Sequence, residues 1–327
     1  MSAQVQYLRQ FSLVIGGPDG SGLEFSEFRV TFTIRRGDYQ TPNSADIRIY
    51  NLSANTANLI QKEFTQLSLS AGYPGNIGLI FRGNIKQVRK GRIDQKDSYV
   101  DVTAADGDEA YNFTPINTSL KAGTTPGGVY QALVTAFKQK GLTQGYAPNL
   151  TQSGSVRGCV LYGTARDEMR RFANDNECSW SIQNGNLTLI PLTSYIPGNV
   201  ITITPSTGLI GVPEQTQNGL QMRVLLNPNI KIGQVVKLDS SDINKLRFGL
   251  TSQGQQQANN IFLNKQVLNT ANPDGLYFVM VANHTGDTRG RDWYTDMTCL
   301  AVDATVPSAD ALNALFALGD DAIKPFN

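Results

Sequence analysis

The chain has 327 residues, roughly the length of two average domains. Only 17% of the residues are charged, and 28 Lys and Arg against 27 Asp and Glu leave a net charge of +1. This balance argues against an overall attraction to nucleic acid or to an anionic membrane. A single histidine and three cysteines without CxxC spacing exclude sites that need several His or Cys ligands.

No apolar run approaches the roughly 20 residues of a membrane span, and the first residues lack the layout of a signal peptide. The odd number of cysteines suits a reducing cytoplasm at synthesis. The sequence also has no Gly-Lys dipeptide of a phosphate-binding loop, no GxGxxG after a strand and no GxSxG. We therefore predict no cofactor, no metal and no enzymatic activity.

Residues 1–115 are predicted to be mainly strands. Residues 28–34 alternate between apolar and polar side chains, which is the period of a half-buried strand. Further strands are predicted around Leu13, Ile47, Leu69, Phe81, Val88 and Val102. A short helix is predicted from about Ala54 to Phe64, with Ser53 or Asn55 as its N-cap. Many short strands at such spacing are typical of a barrel or a sandwich.

Residues 116–195 change to a helical period. Thr125 is predicted to cap a helix with Pro126 at its first position, and Gly141 ends it. A second helix is predicted to begin at Thr164. Its buried face is predicted to consist of Ala165, Met169, Phe172 and Ala173. The Asn184-Gly185 dipeptide between alternating runs then predicts a tight hairpin, so this segment is predicted to be a small α/β insert.

Strand patterns return from about Tyr195 and continue through residues 196–306. They are predicted around Ile203, Val224, Ile230, Val236, Phe278 and Met297. The amide-rich stretch 253–260 is predicted to be a mobile loop. Residues 307–327 are predicted to form a C-terminal helical tail, with Leu312, Leu315 and Phe316 on one apolar face.

An approximate internal repeat links the two β regions. Gly78-Leu79-Ile80-Phe81 and Gly275-Leu276-Tyr277-Phe278 both open a strand, and strands with Tyr99 and Tyr294 follow. Both stretches then reach an Asp, at positions 106 and 303. The repeat suggests two related β domains on either side of the insert, although chance similarity between two hairpins is an alternative.

Three local clusters could carry chemistry, and each has a simpler structural interpretation. His284 with Asp287 or Asp292 could serve a hydrolase, but a hairpin loop with Trp293 packed beneath it is favoured. Residues 103–109 resemble a calcium loop, but a tight turn is favoured. The basic residues of segment 86–92 are interpreted as a solvated hairpin tip, because acidic residues follow and no aromatics alternate with them.

Four stretches of the sequence together form a recognisable pattern: residues 45–52 with 71–73 and 80–83; residues 100–107; residues 207–213 with 225–228 and Gly233; and residues 284–287 with 293–294. In these stretches and their order the chain resembles the tail hub, or baseplate hub, proteins of bacteriophages. Seven residues in them are interpreted as family-signature turn residues: Gly83, Asp106, Gly107, His284, Gly286, Asp287 and Trp293.

The resemblance implies a mainly β fold in which two tube-like β-barrel domains flank a small α/β domain. It also implies a homotrimeric ring that adapts a six-fold tail tube to a three-fold central spike. The expected partners are further copies of the chain, a tail tube or tube-initiator protein, the spike, the tape measure protein and surrounding baseplate wedge proteins. DNA would pass through the channel only in transit, and no membrane is expected as a partner.

The expected location is the virion tail, with assembly in the host cytoplasm. The apolar face of Leu312, Leu315 and Phe316 is expected to dock on a neighbouring protein. The alternative function is a carbohydrate-binding host-recognition module of the tail tip, which would require exposed aromatic side chains over a shallow cleft.

Overall fold

The computed structural model describes residues 8–17, 22–150, 152–216, 219–238 and 275–302. The predicted loop at 253–260 and the predicted helical tail with Leu312, Leu315 and Phe316 lie outside these residues. The chain is mainly β, as predicted, with a large antiparallel sheet and a small α/β portion.

The first β unit contains seven strands and one helix. The strands are β1 (Gln10–Gly16), β2 (Gly22–Glu24), β3 (Val30–Gly37), β4 (Ser44–Tyr50), β5 (Gln66–Tyr73), β6 (Asn76–Arg92) and β7 (Ser98–Ala105). Helix α1 (Ala54–Lys62) begins at Ser53, whose hydroxyl accepts a hydrogen bond from the N–H of Thr56. The helix covers one face of the sheet with Ala57 and Ile60, because the alternating strands turn their apolar side chains toward that face.

The predicted separate strands around Phe81 and Val88 were wrong, because β6 is one continuous strand of 17 residues. A bulge between Ile85 and Gln87 shifts the side-chain alternation by one position, which breaks the sequence pattern without ending the strand.

The α/β insert contains three helices and five strands. They are α2 (Asp108–Phe113), β8 (Pro115–Leu120), α3 (Pro126–Lys138), β9 (Thr143–Gln144), β10 (Cys159–Thr164), α4 (Ala165–Asp175), β11 (Cys178–Gln183) and β12 (Asn186–Pro191). Thr125 caps α3 through its hydroxyl, and Asn184 and Gly185 adopt the positive φ of a tight hairpin turn. The two predicted helices and the hairpin are therefore confirmed.

The second β unit contains six described strands. They are β13 (Ile201–Ile203), β14 (Leu209–Thr216), β15 (Gly219–Leu225), β16 (Val235–Leu238), β17 (Leu276–Asp287) and β18 (Trp293–Ala301). The predicted strand at Ile230 was wrong, because this residue and Ile232 lie buried in the loop between β15 and β16.

The strands of both β units form one sheet in the order β14-β15-β18-β17-β3-β4-β7-β6-β5-β1-β2, with β16 attached to β17 and β13 to β16. Strand β3 of the first unit pairs with β17 of the second, so the two units share one hydrogen-bonded ladder. Among the described strands this path is open, and neither unit closes into a separate barrel.

Three apolar cores follow the same division of the chain. One is built mainly from β1 to β7 and α1, one from the insert, and one from β13 to β18. Leu226 and Trp293 belong to the second unit but pack in the first core, which ties the two units together. None of the helices in the described residues is long and apolar enough to cross a membrane.

Candidate functional site

The two β units repeat the same strand order. The first reads β3-β4-β7-β6-β5-β1 and the second reads β14-β15-β18-β17-β16-β13. The outermost pairing differs, because β1 is antiparallel to β5 whereas β13 is parallel to β16. The repeated order means that each strand of the first unit has an identifiable counterpart in the second.

A shared bulge fixes the register of this repeat. In the first unit Ile85 pairs with Ala104, and Gln87 pairs with Thr103. In the second unit Val279 pairs with Cys299, and Val281 pairs with Thr298. The skipped residues are Lys86 and Met280, so β6 and β17 are equivalent position by position after the bulge. The Tyr99 and Tyr294 positions predicted to correspond do so, whereas Gly275 corresponds to Phe81 rather than to Gly78.

The repeat also conserves an ion pair on the outer face of the sheet. Arg48 of β4 donates to both carboxylate oxygens of Asp101, at 2.6 and 2.9 Å, and its guanidinium lies 4.2 Å from the centre of the Tyr99 ring. The hydrogen bond to Asp101 raises the pKa of Arg48 above its ordinary value.

The second unit has the same arrangement at equivalent positions. Arg223 donates to the carboxylate of Asp296, at 2.6 and 3.2 Å, and its guanidinium lies 5.2 Å from the centre of the Tyr294 ring. Because the two pairs occupy equivalent strands, they show that this ion pair is repeated on the outer face of both units.

The joint between the units forms around Gly286 of β17. An added Cβ at Gly286 would lie 2.4 Å from the Phe32 ring and 2.9 Å from Trp293, so any larger residue would force these rings to shift. The rings of Phe32 and Trp293 meet edge to face with centroids 5.5 Å apart, and the Arg9 guanidinium lies 5.3 Å from the centre of the Trp293 ring. Because Gly286 has no side chain, β3 and Trp293 can pack closely against each other at this point.

His284 lies in the middle of β17, beside Ile34 of β3 and Thr295 of β18. Its side chain is completely buried, and its Nδ1 lies 2.9 Å from the Thr295 hydroxyl. Burial lowers the pKa of His284 to about 3, so the ring is neutral at pH 7. The position does not support catalysis, because a buried neutral ring is out of reach of a substrate.

Asp287 follows at the end of β17 and accepts a hydrogen bond from Arg29 at 2.9 Å. Burial opposes ionisation of this carboxyl, but the hydrogen bonds from Arg29 and from the backbone N–H of Arg289 and Gly290 lower its pKa overall. Asp287 therefore stabilises the turn after β17 and the edge of the first unit, and it does not orient His284.

Several predicted turn residues are in fact strand residues. Gly83 lies within β6, His284 and Gly286 lie within β17, and Trp293 begins β18. An added Cβ at Gly83 would lie 2.5 Å from the Ala105 carbonyl oxygen, so this glycine allows a close approach of β6 to β7. Glycines in strands and turns look alike in a sequence, which explains the error.

A second joint connects the first β unit to the insert through Asp106. This buried carboxylate accepts hydrogen bonds from the backbone N–H of Asn184 and, at 2.8 Å, of Gly185. Burial raises its pKa to about 6, against the opposing effect of these hydrogen bonds. Asp106 therefore holds the tip of the β11–β12 hairpin.

The turn predicted after the strand is present at Asp106 and Gly107, and Gly107, with a φ of 63°, leads directly into helix α2. Asp108 of α2 pairs with Lys86 at 3.0 Å, and Glu109 pairs with Lys140 at 2.9 Å. In the described part of the chain, no three metal-ligating side chains group closely enough to hold an ion.

Five buried polar residues complete the second joint, and sequence reasoning missed them all. They are Arg36, Asp38, Asn43, Ser179 and Ser181. Asp38 accepts hydrogen bonds from the hydroxyls of Ser179 and Ser181, and burial raises its pKa. Isolated polar residues near strand ends give no distinctive signal, so the sequence could not have identified this network.

Gln183 of β11 is the centre of that network. Its side-chain oxygen accepts hydrogen bonds from Asn43 at 3.0 Å and from Arg36 at 3.2 Å, while its Nε2 donates to the Gly37 carbonyl at 2.9 Å. Buried polar groups that satisfy one another specify a single arrangement of the elements that carry them. The insert is therefore held at a fixed place on the first unit.

The basic segment predicted as a hairpin tip runs along the second half of β6. Arg89 and Arg92 are exposed there, and Lys90 reaches Asn58 of α1 at 2.6 Å. The cysteines Cys178 and Cys299 are buried and unpaired, and burial raises their pKa values to about 11 and about 12. Both therefore behave as small apolar residues.

The aromatic residues that the structure describes do not form the exposed row that a carbohydrate site needs. Trp180 and Trp293 are fully buried. The most exposed aromatic side chains in the described ranges are Tyr162 on β10 and Phe113 at the end of α2, at 74% and 67% exposure. No observation of the described residues therefore favours the carbohydrate-binding alternative.

No protein-family model and no curated protein sequence matches the chain. Solved structures with the same fold do exist. The 43 kDa tail protein of prophage MuSo2 from Shewanella oneidensis is 9% identical, with a TM-score of 0.57 over 92% of this chain and 99% of that one. A tail protein from Neisseria meningitidis MC58 is 12% identical, with a TM-score of 0.55 over 93% of this chain and 99% of that one.

A component of the type VI secretion system from E. coli is also similar, at 10% identity and a TM-score of 0.54 over 90% of this chain and 78% of that one. That protein is described as structurally similar to the T4 bacteriophage tail proteins gp27 and gp5. At such low identities these comparisons show only that the chain shares its fold with these proteins, over at least 90% of its length.

Proposed function

We propose that the chain is a structural component of a phage-type tail, in which three copies form the hub ring between the tail tube and the central spike. The observation that carries this proposal is the internal repeat. The two β units have the same strand order, the same bulge and the same outer ion pair, and they lie side by side in one sheet. Three chains would therefore present six similar units.

The fold shared with tail proteins of two prophage or bacterial sources supports the same role. The likeness to a secretion-system component that itself resembles tail proteins gp27 and gp5 supports a place near the spike. We infer a ring with pseudo-six-fold symmetry on the side of the tail tube and true three-fold symmetry on the side of the spike.

In this proposal, residues 1–115 and 196–306 are the two tube-like domains and residues 116–195 are the α/β domain between them. Each domain would complete its closure only against neighbouring copies, which is consistent with the open sheet path of the described strands. The tail tube or its initiator, the spike, the tape measure protein and baseplate wedge proteins would be the partners. Residues 307–327 would add a docking segment through Leu312, Leu315 and Phe316.

The charge of the chain fits a channel that DNA crosses without being held. A net charge of +1 gives no overall attraction to the DNA phosphates. The buried, neutral His284 supports a role without catalysis, because it is the only histidine and no substrate could reach it.

The absolute mass of the purified protein, measured by light scattering over a range of concentrations, tests the proposal. Three chains of 35.6 kDa give a ring of about 107 kDa. A mass that stays at one chain at every concentration, with or without a purified tail tube protein, would contradict the hub ring.

A further inference from the structure

The small two-stranded sheet of the insert carries apolar side chains on its outer face. In this sheet β10 pairs antiparallel with β8, and Leu161 and Ile116 pack into the core of the insert. Val160 and Tyr162 lie on either side of Leu161 in the strand, so they point away from that core, and they are 63% and 74% exposed. An exposed antiparallel sheet normally has polar residues on its outer face, so these two positions depart from the usual pattern.

Two further exposed apolar side chains lie at the two ends of this sheet. Phe113 ends α2, just before β8, and is 67% exposed. Val156 is 94% exposed and lies just before β10, where backbone hydrogen bonds of Ser155 hold the segment beside residues 123–124. Phe113, Val156, Val160 and Tyr162, together called the insert patch, are four of the five most exposed large apolar side chains in the described ranges. A cluster of this kind is typical of a surface that another element covers.

The charge around the insert patch has one sign. Positions 110–166 contain no Asp or Glu but contain five basic residues: Lys121, Lys138, Lys140, Arg157 and Arg166. Lys121 directly follows β8, Arg157 is next to Val156, and both basic side chains are exposed. A partner that combines apolar side chains with negative charge would therefore fit this surface.

The last residues of the chain have this composition. Residues 303–327, which follow the last described residue, contain four Asp and one Lys, a net charge of −3. Leu312, Leu315 and Phe316 have the spacing that places apolar side chains on one face of a helix. An amphipathic helix binds by laying such a face on an apolar surface.

We propose that residues 308–319 of this chain dock on the insert patch. The apolar face of this segment covers the patch, and the neighbouring Asp residues lie near Lys121 and Arg157. Covering the patch removes apolar surface from water, and the opposite charges favour the same contact. The inference rests on the docking segment of the proposed function and gives that segment a binding surface on the chain itself; it does not depend on the ring.

Photo-crosslinking from the patch in the purified full-length protein identifies the segment that covers it. Tyr162 is replaced by the photoreactive amino acid p-benzoylphenylalanine, and mass spectrometry locates the residues that become linked to it. We expect the links to fall within residues 308–319, in the same chain or in a second copy. The matched control is the same replacement at Ile93, which is 56% exposed between β6 and β7 and should give no link to these residues.

Substitutions in the photoreactive protein separate the apolar and the charged contributions. Leu312→Ser/Leu315→Ser/Phe316→Ser should lower the cross-linked fraction about ten-fold or more, because the segment loses its apolar face. Arg157→Glu should lower it about two- to five-fold, as expected for one exposed charge pair. Lys96→Glu changes the net charge equally in the exposed turn between β6 and β7, and it should leave the fraction unchanged. Unchanged near-UV circular dichroism shows that the variants are folded.

The contrary results are distinct. Links to another segment, links to the insert patch of a second copy, or no links would each overturn the docking of residues 308–319. Links that persist in the triple Ser variant would overturn it as well, because the apolar face would then not hold the segment.

The absolute mass keeps this inference separate from the hub ring. Links to residues 308–319 in a protein that stays at 35.6 kDa would support the docking and contradict the ring. A ring of about 107 kDa without such links would contradict the docking and leave the ring standing.

Discussion

The second halves of β6 and β17 occupy equivalent places in the two β units but have opposite surroundings. Lys90 of β6 corresponds to His284 of β17, because they pair with the equivalent residues Val100 and Thr295. Lys90 is exposed and reaches Asn58 of α1, whereas His284 is completely buried beside β3. The neighbour across the strand edge, and not the strand itself, thus decides which positions can carry a charge.

The largest expected effect comes from the residue that opens β18. Trp293→Ala should lower the free energy of unfolding by about 3–5 kcal/mol, because Trp293 is 1% exposed and packs between the two units. Its counterpart Ser98 starts β7 at the partly exposed end of the sheet, so Ser98→Ala should change stability by less than about 0.5 kcal/mol. Urea denaturation measures the unfolding free energy of both variants. Similar losses in the two variants would contradict the expected difference between these equivalent positions.

A smaller effect is expected at Gly286. Gly286→Ala places a Cβ against the Phe32 and Trp293 rings and should cost about 1–3 kcal/mol of unfolding free energy. The equivalent position in β6 is Arg92, which is exposed, so Arg92→Ala should cost less than about 0.5 kcal/mol. Chemical denaturation measures this cost. A Gly286→Ala variant with the unfolding free energy of the natural protein would contradict the close packing at this joint.

The third prediction concerns pH. The folded pKa of His284, about 3, lies below its ordinary value of 6.5, so the unfolded chain binds the extra proton between these values. Stability from this residue is fully present above pH 6.5 and decreases as the pH falls toward 3, by about 1.4 kcal/mol per pH unit. At pH 5 the loss is about 2 kcal/mol.

His284→Gln should remove this dependence. The difference in unfolding free energy between pH 7 and pH 5 is measured for the natural protein and for the variant. Asp38 and Asp106 are present in both proteins, so their contributions cancel when the two differences are compared. Identical differences for the natural protein and the variant would show that His284 does not titrate as its burial requires.

The smallest effects are expected at the repeated ion pairs. Asp101→Asn and Asp296→Asn should each cost less than about 1 kcal/mol, because both pairs are partly exposed to water. Equivalent surroundings should also make the two costs alike. Double-mutant cycles with Arg48 and Arg223 measure the pair energies, and a clearly unequal result would weaken the equivalence of the outer faces.

The insert was the part of the fold that the sequence predicted best. The cap at Thr125, the helix start at Thr164 and the Asn184-Gly185 turn depend on neighbours within a few residues, so the local sequence contains the whole signal. The α2 helix after Gly107 was missed, since a six-residue helix is too short to show a helical period.

The β units were predicted only in outline. Alternation located most strands, but the bulges in β6 and β17 shifted its phase and divided one strand in two. The candidate site was also predicted only in outline. The sequence pointed to Gly286, Asp287 and Trp293, but it did not show that they lie at a joint between the two β units. Partners in that joint come from residues 9–37, more than 240 positions away.

By itself, the sequence determined the mainly β class, the helical insert with its caps, and the absence of common catalytic motifs. These depend on composition and on periods of two to four residues, which act locally. Tertiary structure alone decided that the two β units share one sheet and that His284 is buried and neutral. It also decided that no described strand pairs with the second edge of residues 87–92 of β6. Strand pairing joins residues far apart in the chain, so the edge that is covered depends on the partner strand and not on the strand's own residues.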